Sequence, residues 1–302
     1  MLSEGATAEL RDAGLDPDEV ARIVAGALAE DLGGPDGVDV TSVATIPAEQ
    51  TDTADLVARA DGVVAGLAVA RAVFDCADRY DGRSRRTLAW SQKAHDGERV
   101  ARGDQLATVA GPTRALLTAE RTALNLLCRM SGVATHTRAW ADALAGTKAR
   151  VLDTRKTTPG LRILEKYAVR AGGGTNKRMG LYDVAMIKDN HKIAAGGLAN
   201  AFRLVRAAFP DVPVQVEATT LAEAVEAVEA GATFLLLDNM APDLLREVVA
   251  AVGDRAELEA TGGLTLDKVR AFAETGVDYL SVGALTHSSP ILDIAMDLRG
   301  GV

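Results

Sequence analysis

The sequence predicts an α/β protein in two parts: a small mixed α/β sandwich with a linking helix over residues 1–130, then a TIM-like βα barrel, complete or incomplete, over residues 131–302. Three observations predict it. Beyond residue 150, short apolar runs end in a charged or hydroxyl residue and are each followed by a helical pattern. Glu217, Asp238, Glu259 and Ser281 recur at intervals of 21, 21 and 22 residues, the length of one strand, loop, helix and loop. Between residues 53 and 115 the texture differs, with Val/Ala/Leu runs broken at Asp61-Gly62, Asp81-Gly82, Asp96-Gly97, Gly103-Asp104 and Gly111-Pro112, the turn chemistry of antiparallel strands.

In chain order, Leu10, Leu15, Val20, Ile23, Val24, Ala27 and Leu28 predict helix over residues 7–32, ending at Gly33-Gly34-Pro35. A long helix is expected from Thr118 to Leu144, on the stripe of Leu124, Leu127, Cys128 and Met130. The later runs end at Asp153, Lys188, Glu217, Asp238, Glu259 and Ser281. Helices between them are predicted at Leu221–Ala230, Pro242–Val252 and Leu266–Thr275, each stopped by a glycine. Parallel strands with right-handed crossovers form an open sheet or a barrel. No GxGxxG follows the first strand and polar residues terminate every strand, which favours the barrel. Loops at strand carboxyl ends would then converge on one mouth.

Composition excludes several roles. With 33 Lys+Arg against 42 Asp+Glu, the net charge is −9, against wholesale binding to nucleic acid or anionic membrane. No apolar stretch approaches the ~18 residues of a membrane helix and the first thirty residues carry acids without an apolar core, so a cytoplasmic protein is expected. Cys76 and Cys128 lack metal or disulfide spacing and are expected to be core thiols.

The positive charge is concentrated. Lys148 to Lys192 holds eleven Lys or Arg against four Asp or Glu, so a compact polyanion is the expected ligand. Arg155, Lys156, Lys177, Arg178 and Lys188 are the cations expected at the mouth, while Arg162, Lys166 and Arg170 suit a solvated helix face. Glu217 and Asp238 are strand-end carboxylates suited to Mg²⁺ with waters and substrate phosphates, or to paired acid–base work. Thr261-Gly262-Gly263 and Ser281-Val282-Gly283-Ala284 place small residues where late loops cradle a phosphate.

These residues sit in longer motifs. EDLGGPDGVDVTS, AERTALNLLCRMSGVAT, DTRKTTPGLRILEKYAVRAGGG, RMGLYDVAMIKDNH, EATGGL and VDYLSVGALTHS together resemble the quinolinate phosphoribosyltransferase family, also called carboxylating nicotinate-nucleotide pyrophosphorylase, over nearly the whole chain. The resemblance implies transfer of phosphoribosyl from phosphoribosyl pyrophosphate to the ring nitrogen of quinolinate, with loss of CO₂, to give nicotinate mononucleotide on the route to NAD. It implies a dicarboxylate pocket of Arg155, Arg178 and Lys188, with Arg121 donated across a homodimer interface. By sequence context alone Arg121 is an ordinary surface residue. Lys156 would meet the sugar phosphate. Glu217 and Asp238 would hold Mg²⁺ and ribose hydroxyls, and Thr261, Gly262, Gly263, Gly283 and His287 would receive the 5′-phosphate. Lys177 departs from the family pattern, which has His before the pocket arginine. Lysine can still pair with a substrate carboxylate, though its longer stem and permanent charge alter the pocket. Two other readings stay open: a Schiff-base lyase using Lys188, and a non-catalytic oxyanion-binding relative. His95, His136 and His191 are assigned no chemistry.

Overall fold

The computed structural model describes residues 2–34, 36–77 and 88–299, so the expected Asp81-Gly82 turn lies outside the described residues. Strands β1 (Thr51–Ala58), β2 (Gly62–Val63), β3 (Ala89–Gln92), β4 (Arg99–Val100) and β5 (Gln105–Pro112) come first. Next are β6 (Arg150–Leu152), β7 (Ala185–Ile187), β8 (Val214–Ala218), β9 (Phe234–Asp238), β10 (Glu257–Thr261) and β11 (Tyr279–Ser281), with β12 (Ile294–Leu298) last. The chain forms two compact units. One takes in the described residues of Met1–His136, Thr158–Gly173 and Ser288–Val302; the other comprises Thr137–Thr157 and Gly174–His287.

In the first unit the single helix expected over residues 7–32 is two, Glu4–Asp12 and Pro17–Leu32. Gly14 turns the chain at φ 68°. The Asp16 carboxylate then accepts the Asp18 N–H at 2.9 Å, and Pro17 occupies the first turn, where its missing N–H does no harm. Val20, Val24 and Leu28 form a fully buried stripe, each contributing roughly 1.5–3 kcal/mol. The helix Leu67–Ala77 packs on both of these helices. An antiparallel sheet of order β12-β1-β5-β3 buries Ala54, Leu56 and Ala58 on one face of β1. Gly111-Pro112 is not a turn: β5 runs through it and pairs Pro112 with Thr51 at the strand end, where a missing N–H is tolerated.

The long helix is Thr113–Ala143, and Cys76 and Cys128 are buried free thiols. The basic face expected on the helix Arg162–Ala171 does not hold, because Lys166 is fully buried together with Glu165, Leu164, Ala168 and Val169. More than one face of this helix is covered. Glu165 accepts Arg129 Nε at 3.1 Å and Nη2 at 2.8 Å, together with the Thr158 N–H at 2.9 Å and hydroxyl at 2.7 Å.

The second unit is a parallel sheet of order β6-β11-β10-β9-β8-β7. Read as a ring, this is chain order, the arrangement of a βα barrel. The chain-order neighbours without a ladder are β6 and β7, where Thr175 bridges Leu152 and donates its N–H to Val151 at 2.8 Å. Among the described residues the sheet therefore has six strands, not the eight of a complete barrel. All five residues of β8 are buried, as befits a parallel strand covered on both faces. Of the three predicted crossover helices, Leu221–Glu229, capped by the Thr220 hydroxyl, and Pro242–Val252 are found, and the third is shorter than expected, Val269–Ala273; Asp189–Ala195 and Leu198–Ala208 lie between β7 and β8. Glu259 is not strand-terminal, since β10 continues to Thr261, which pairs with Asp238, while Glu259 pairs with Leu236.

Candidate active site

Two adjoining cavities share residues that follow the carboxyl ends of β6 and β7. The first, about 520 Å³, is polar: Asp153, Thr154, Arg155, Lys156, Lys177, Arg178, Lys188, Glu217, Asp238, Glu259, Thr261 and Ser281 line it, with Met186 and Leu236 as its apolar members. The second, about 640 Å³, is mostly apolar, walled by Leu181, Ala185, Ile187, Ala194, Ala195, Ala201, Leu204 and Val205, with His191. Arg155, Arg178, Met186 and Lys188 belong to both and form the wall between them.

The fold thus gathers eight of the expected residues, Arg155, Lys156, Lys177, Arg178, Lys188, Glu217, Asp238 and Thr261, on one cavity. Gly283 stands against Lys156 and His287, since a β-carbon there would lie 3.0 Å from Lys156 Cδ and 3.3 Å from His287 Nε2. Gly262, at φ 94°, admits no side chain: its β-carbon would fall 2.1 Å from the Asn239 amide oxygen. Gly263 also has positive φ and follows in the same turn. Arg121 is exposed on the helix Thr113–Ala143 and lines neither cavity.

Several supports were not foreseen. Asp153, 1% exposed, accepts from the Asn176 amide at 2.7 Å and the Lys177 N–H at 2.9 Å, tying the 175–177 segment to the end of β6. Lys192 reaches Glu223 and Asp189, each at 2.8 Å, and donates to the Glu217 carbonyl at 3.2 Å, which fixes the strand end that carries the Glu217 carboxylate. A basic residue one turn into the helix Asp189–Ala195 was the available signal. His191 accepts the Lys188 N–H at 3.0 Å, a helix-capping contact. Lys188 Nζ lies 3.3 Å from Glu217 and the side chain is 49% exposed, which is not the desolvated apolar surrounding that activates an amine nucleophile.

Electrostatics favour an anion. Burial pushes the Arg178 pKa down, and the neighbouring positive charge of Arg155 pushes it further, against a smaller opposing pull from Asp183. Arg178 directs Nη1 to the Val184 carbonyl at 3.2 Å and Nη2 to Met186 Sδ at 3.5 Å. Two adjacent guanidiniums repel each other until an anion is placed between them.

Asp183 organises the loop behind Arg178. Desolvation raises its pKa, but backbone N–H donors including Met179 at 2.6 Å and Gly180 at 3.0 Å outweigh this and leave it below the usual aspartate value. A depressed carboxyl stabilises the fold above its unfolded pKa and loses that contribution as pH falls through the folded value. Asp183→Asn is expected to lower stability by about 1 kcal/mol at pH 7, a modest figure because the group is partly solvated. Urea midpoints should show the gap closing once the pH falls below 3.8.

Comparison with known proteins agrees with this geometry. Residues 39–131 match the family model "Quinolinate phosphoribosyl transferase, N-terminal domain", and residues 133–297 match its C-terminal counterpart. The nicotinate-nucleotide pyrophosphorylase [carboxylating] of Mycobacterium leprae is 49% identical over 275 residues, 90% of this chain and 94% of that protein. A probable enzyme of the same name from Bacillus subtilis is 43% identical over 86% of this chain and 88% of its own. The crystal structure of NadC from Streptococcus pyogenes superposes with a TM-score of 0.87 at 36% identity, covering 95% of this chain and 97% of that one. That of the Francisella tularensis nicotinate-nucleotide pyrophosphorylase gives 0.86 at 34% identity, covering 93% and 96%. With both domain models matched in order and relatives of this identity along nine-tenths of its length, the chain belongs to the quinolinate phosphoribosyltransferase family.

Proposed function

We infer that the chain transfers phosphoribosyl from phosphoribosyl pyrophosphate to quinolinate and decarboxylates the product, giving nicotinate mononucleotide, pyrophosphate and CO₂ for NAD synthesis. The observation that carries this reading is the shared wall of Arg155, Arg178 and Lys188 between a polar and an apolar cavity. The apolar cavity suits a flat ring whose two carboxylates meet those cations. The polar cavity suits a phosphorylated sugar, with Glu217 and Asp238 toward ribose hydroxyls and Lys156 toward the pyrophosphate. Thr261, Gly262, Gly263, Gly283 and His287 would receive the 5′-phosphate.

Glu217 and Asp238 would also hold Mg²⁺. Glu217 and Asp238 line the same cavity and are hard oxygen donors, two in number, the kind of set that a magnesium ion completes with substrate oxygens and water. Bound there, the ion would supply charge neutralisation for the departing pyrophosphate.

As the C1–O bond to pyrophosphate breaks, positive charge develops on the ribose, and Lys156 stabilises the departing anion. Arg155, Arg178 and Lys188 hold the ring so that its nitrogen lone pair attacks C1 from the opposite face. The nitrogen carries no proton to remove, so no general base is needed. Once quaternary, it draws the electron pair left at C2 as CO₂ departs, and that carbon is then protonated.

We place Arg121 in a partner's site within a homodimer, and the phosphorylated substrates in the cytoplasm. Supporting the former, Leu181 at the apolar cavity is 75% exposed and Tyr182, next to it in the chain, is 77% exposed, an uncovered apolar surface. No helix of the described residues is long and apolar enough to cross a membrane.

The test is incubation with Mg²⁺, phosphoribosyl pyrophosphate and quinolinate, followed by detection of CO₂ and the mononucleotide, with nicotinate in parallel. Equimolar CO₂ and nicotinate mononucleotide are expected from quinolinate. Turnover of nicotinate in preference to quinolinate would overturn the substrate assignment.

A further inference from the structure

The cation that departs from the family pattern has a partner inside the barrel. Lys177 Nζ forms an ion pair with Glu259, and the two side chains are 8% and 3% exposed. The Gln215 amide donates to the same Glu259 oxygen at 2.7 Å, and the Ser281 hydroxyl donates to the other. On its far side the ammonium lies 4.2 Å from the centroid of the Phe234 ring.

That last contact fixes how deep the charge sits. Phe234 and Asp238 share a face of β9 and bracket it, so they are about 13 Å apart along the strand. Asp238 is at the mouth; the lysine's four-carbon stem carries its charge toward the opposite end. Lys177 also lines only the polar cavity, whereas Arg155, Arg178 and Lys188 line both.

We propose that Lys177 is a positioning residue for the sugar-phosphate donor: its ammonium neutralises Glu259 beneath the polar cavity and does not hold the ring diacid. A bare Glu259 carboxylate under that cavity would be unfavourable in itself, being buried, and would repel a polyanionic donor. With Lys177 in place the floor is neutral, and the cations facing the diacid are the three of the shared wall together with whatever a partner supplies. The assignment of donor and acceptor to the two cavities rests on the function proposed above.

The experiment is a cycle of Lys177→Met, Glu259→Gln and the double variant. Lys177→Met is expected to raise KM for phosphoribosyl pyrophosphate at least about tenfold while quinolinate KM stays within about threefold, as removal of one member of a buried charge pair predicts. Adding Glu259→Gln should bring the donor KM back toward that of the wild type. A rise confined to quinolinate KM, or a double variant no better than Lys177→Met, overturns the proposal. If Lys177→Met does not fold, Glu259→Gln alone decides: donor KM unchanged or lower supports the proposal, and a raised donor KM overturns it. Thermal unfolding of the same variants needs no substrate, and a double variant that regains the Tm lost by the singles reports the pair; additive losses overturn it. Wild-type turnover of quinolinate is measured first, so a failure of the proposed function is seen separately from a failure of the pair.

Discussion

Arg155→Ala is expected to lower kcat/KM for quinolinate by about 30-fold or more, a loss of at least about 2 kcal/mol of transition-state binding. Arg155 stands on the wall common to both cavities and beside Arg178, whose pKa its charge helps to depress. A planar guanidinium can grip a carboxylate through two parallel hydrogen bonds, and neither alanine nor a water molecule reproduces that fork. Removing it also relieves the repulsion on Arg178, and the catalytic deficit should appear in the complex with quinolinate. Lys188→Ala should act in the same direction, and additionally leave Glu217 without the ammonium now 3.3 Å away. Initial rates at saturating phosphoribosyl pyrophosphate with quinolinate varied are the measurement. Near-full turnover by either variant would remove that residue from the diacid site.

The largest stability effect is expected at a residue to which no chemistry is assigned. Arg129→Leu should destabilise the protein by about 3 kcal/mol, because it strips the charge partner from a fully buried carboxylate. Glu165 would retain the Thr158 N–H and hydroxyl but lose both guanidinium hydrogen bonds, and the Ser289 carbonyl would lose an Arg129 donor at 3.0 Å. Pairing Arg129→Leu with Glu165→Leu should recover much of the loss, since two apolar groups of similar volume remove the desolvation penalty as well as the attraction. Denaturant midpoints at constant m-value would show this; a single variant as stable as the wild type would mean that the carboxylate had found water or another donor.

Much of the barrel was legible because its signals are local. A parallel strand buried on both faces is an apolar run, the helix that returns the chain is stopped by a glycine, and the sum of their lengths gives the 21-residue interval seen from Glu217 to Asp238. The same interval misplaced Glu259 as strand-terminal. Spacing in sequence does not carry the stagger between neighbouring strands, and it is the ladder that pairs Asp238 with Thr261 and Glu259 with Leu236. In the first unit, the helix pattern over residues 7–32 concealed a break that Gly14, Asp16 and Pro17 mark by backbone and capping chemistry more than by hydropathy.

By itself the sequence determined the fold class, the concentration of cations between Lys148 and Lys192, and the motifs of the family to which the chain belongs. The tertiary structure decided the partners. Lys166 is buried and not solvated, Lys177 pairs with Glu259, Lys192 anchors the Glu217 strand end, and the described barrel has six strands. The reason is physical: periodicity and turn residues record what each segment needs from its own neighbours along the chain. The neutralisation of a buried charge depends on groups brought close by strand register and helix packing, which no local pattern encodes.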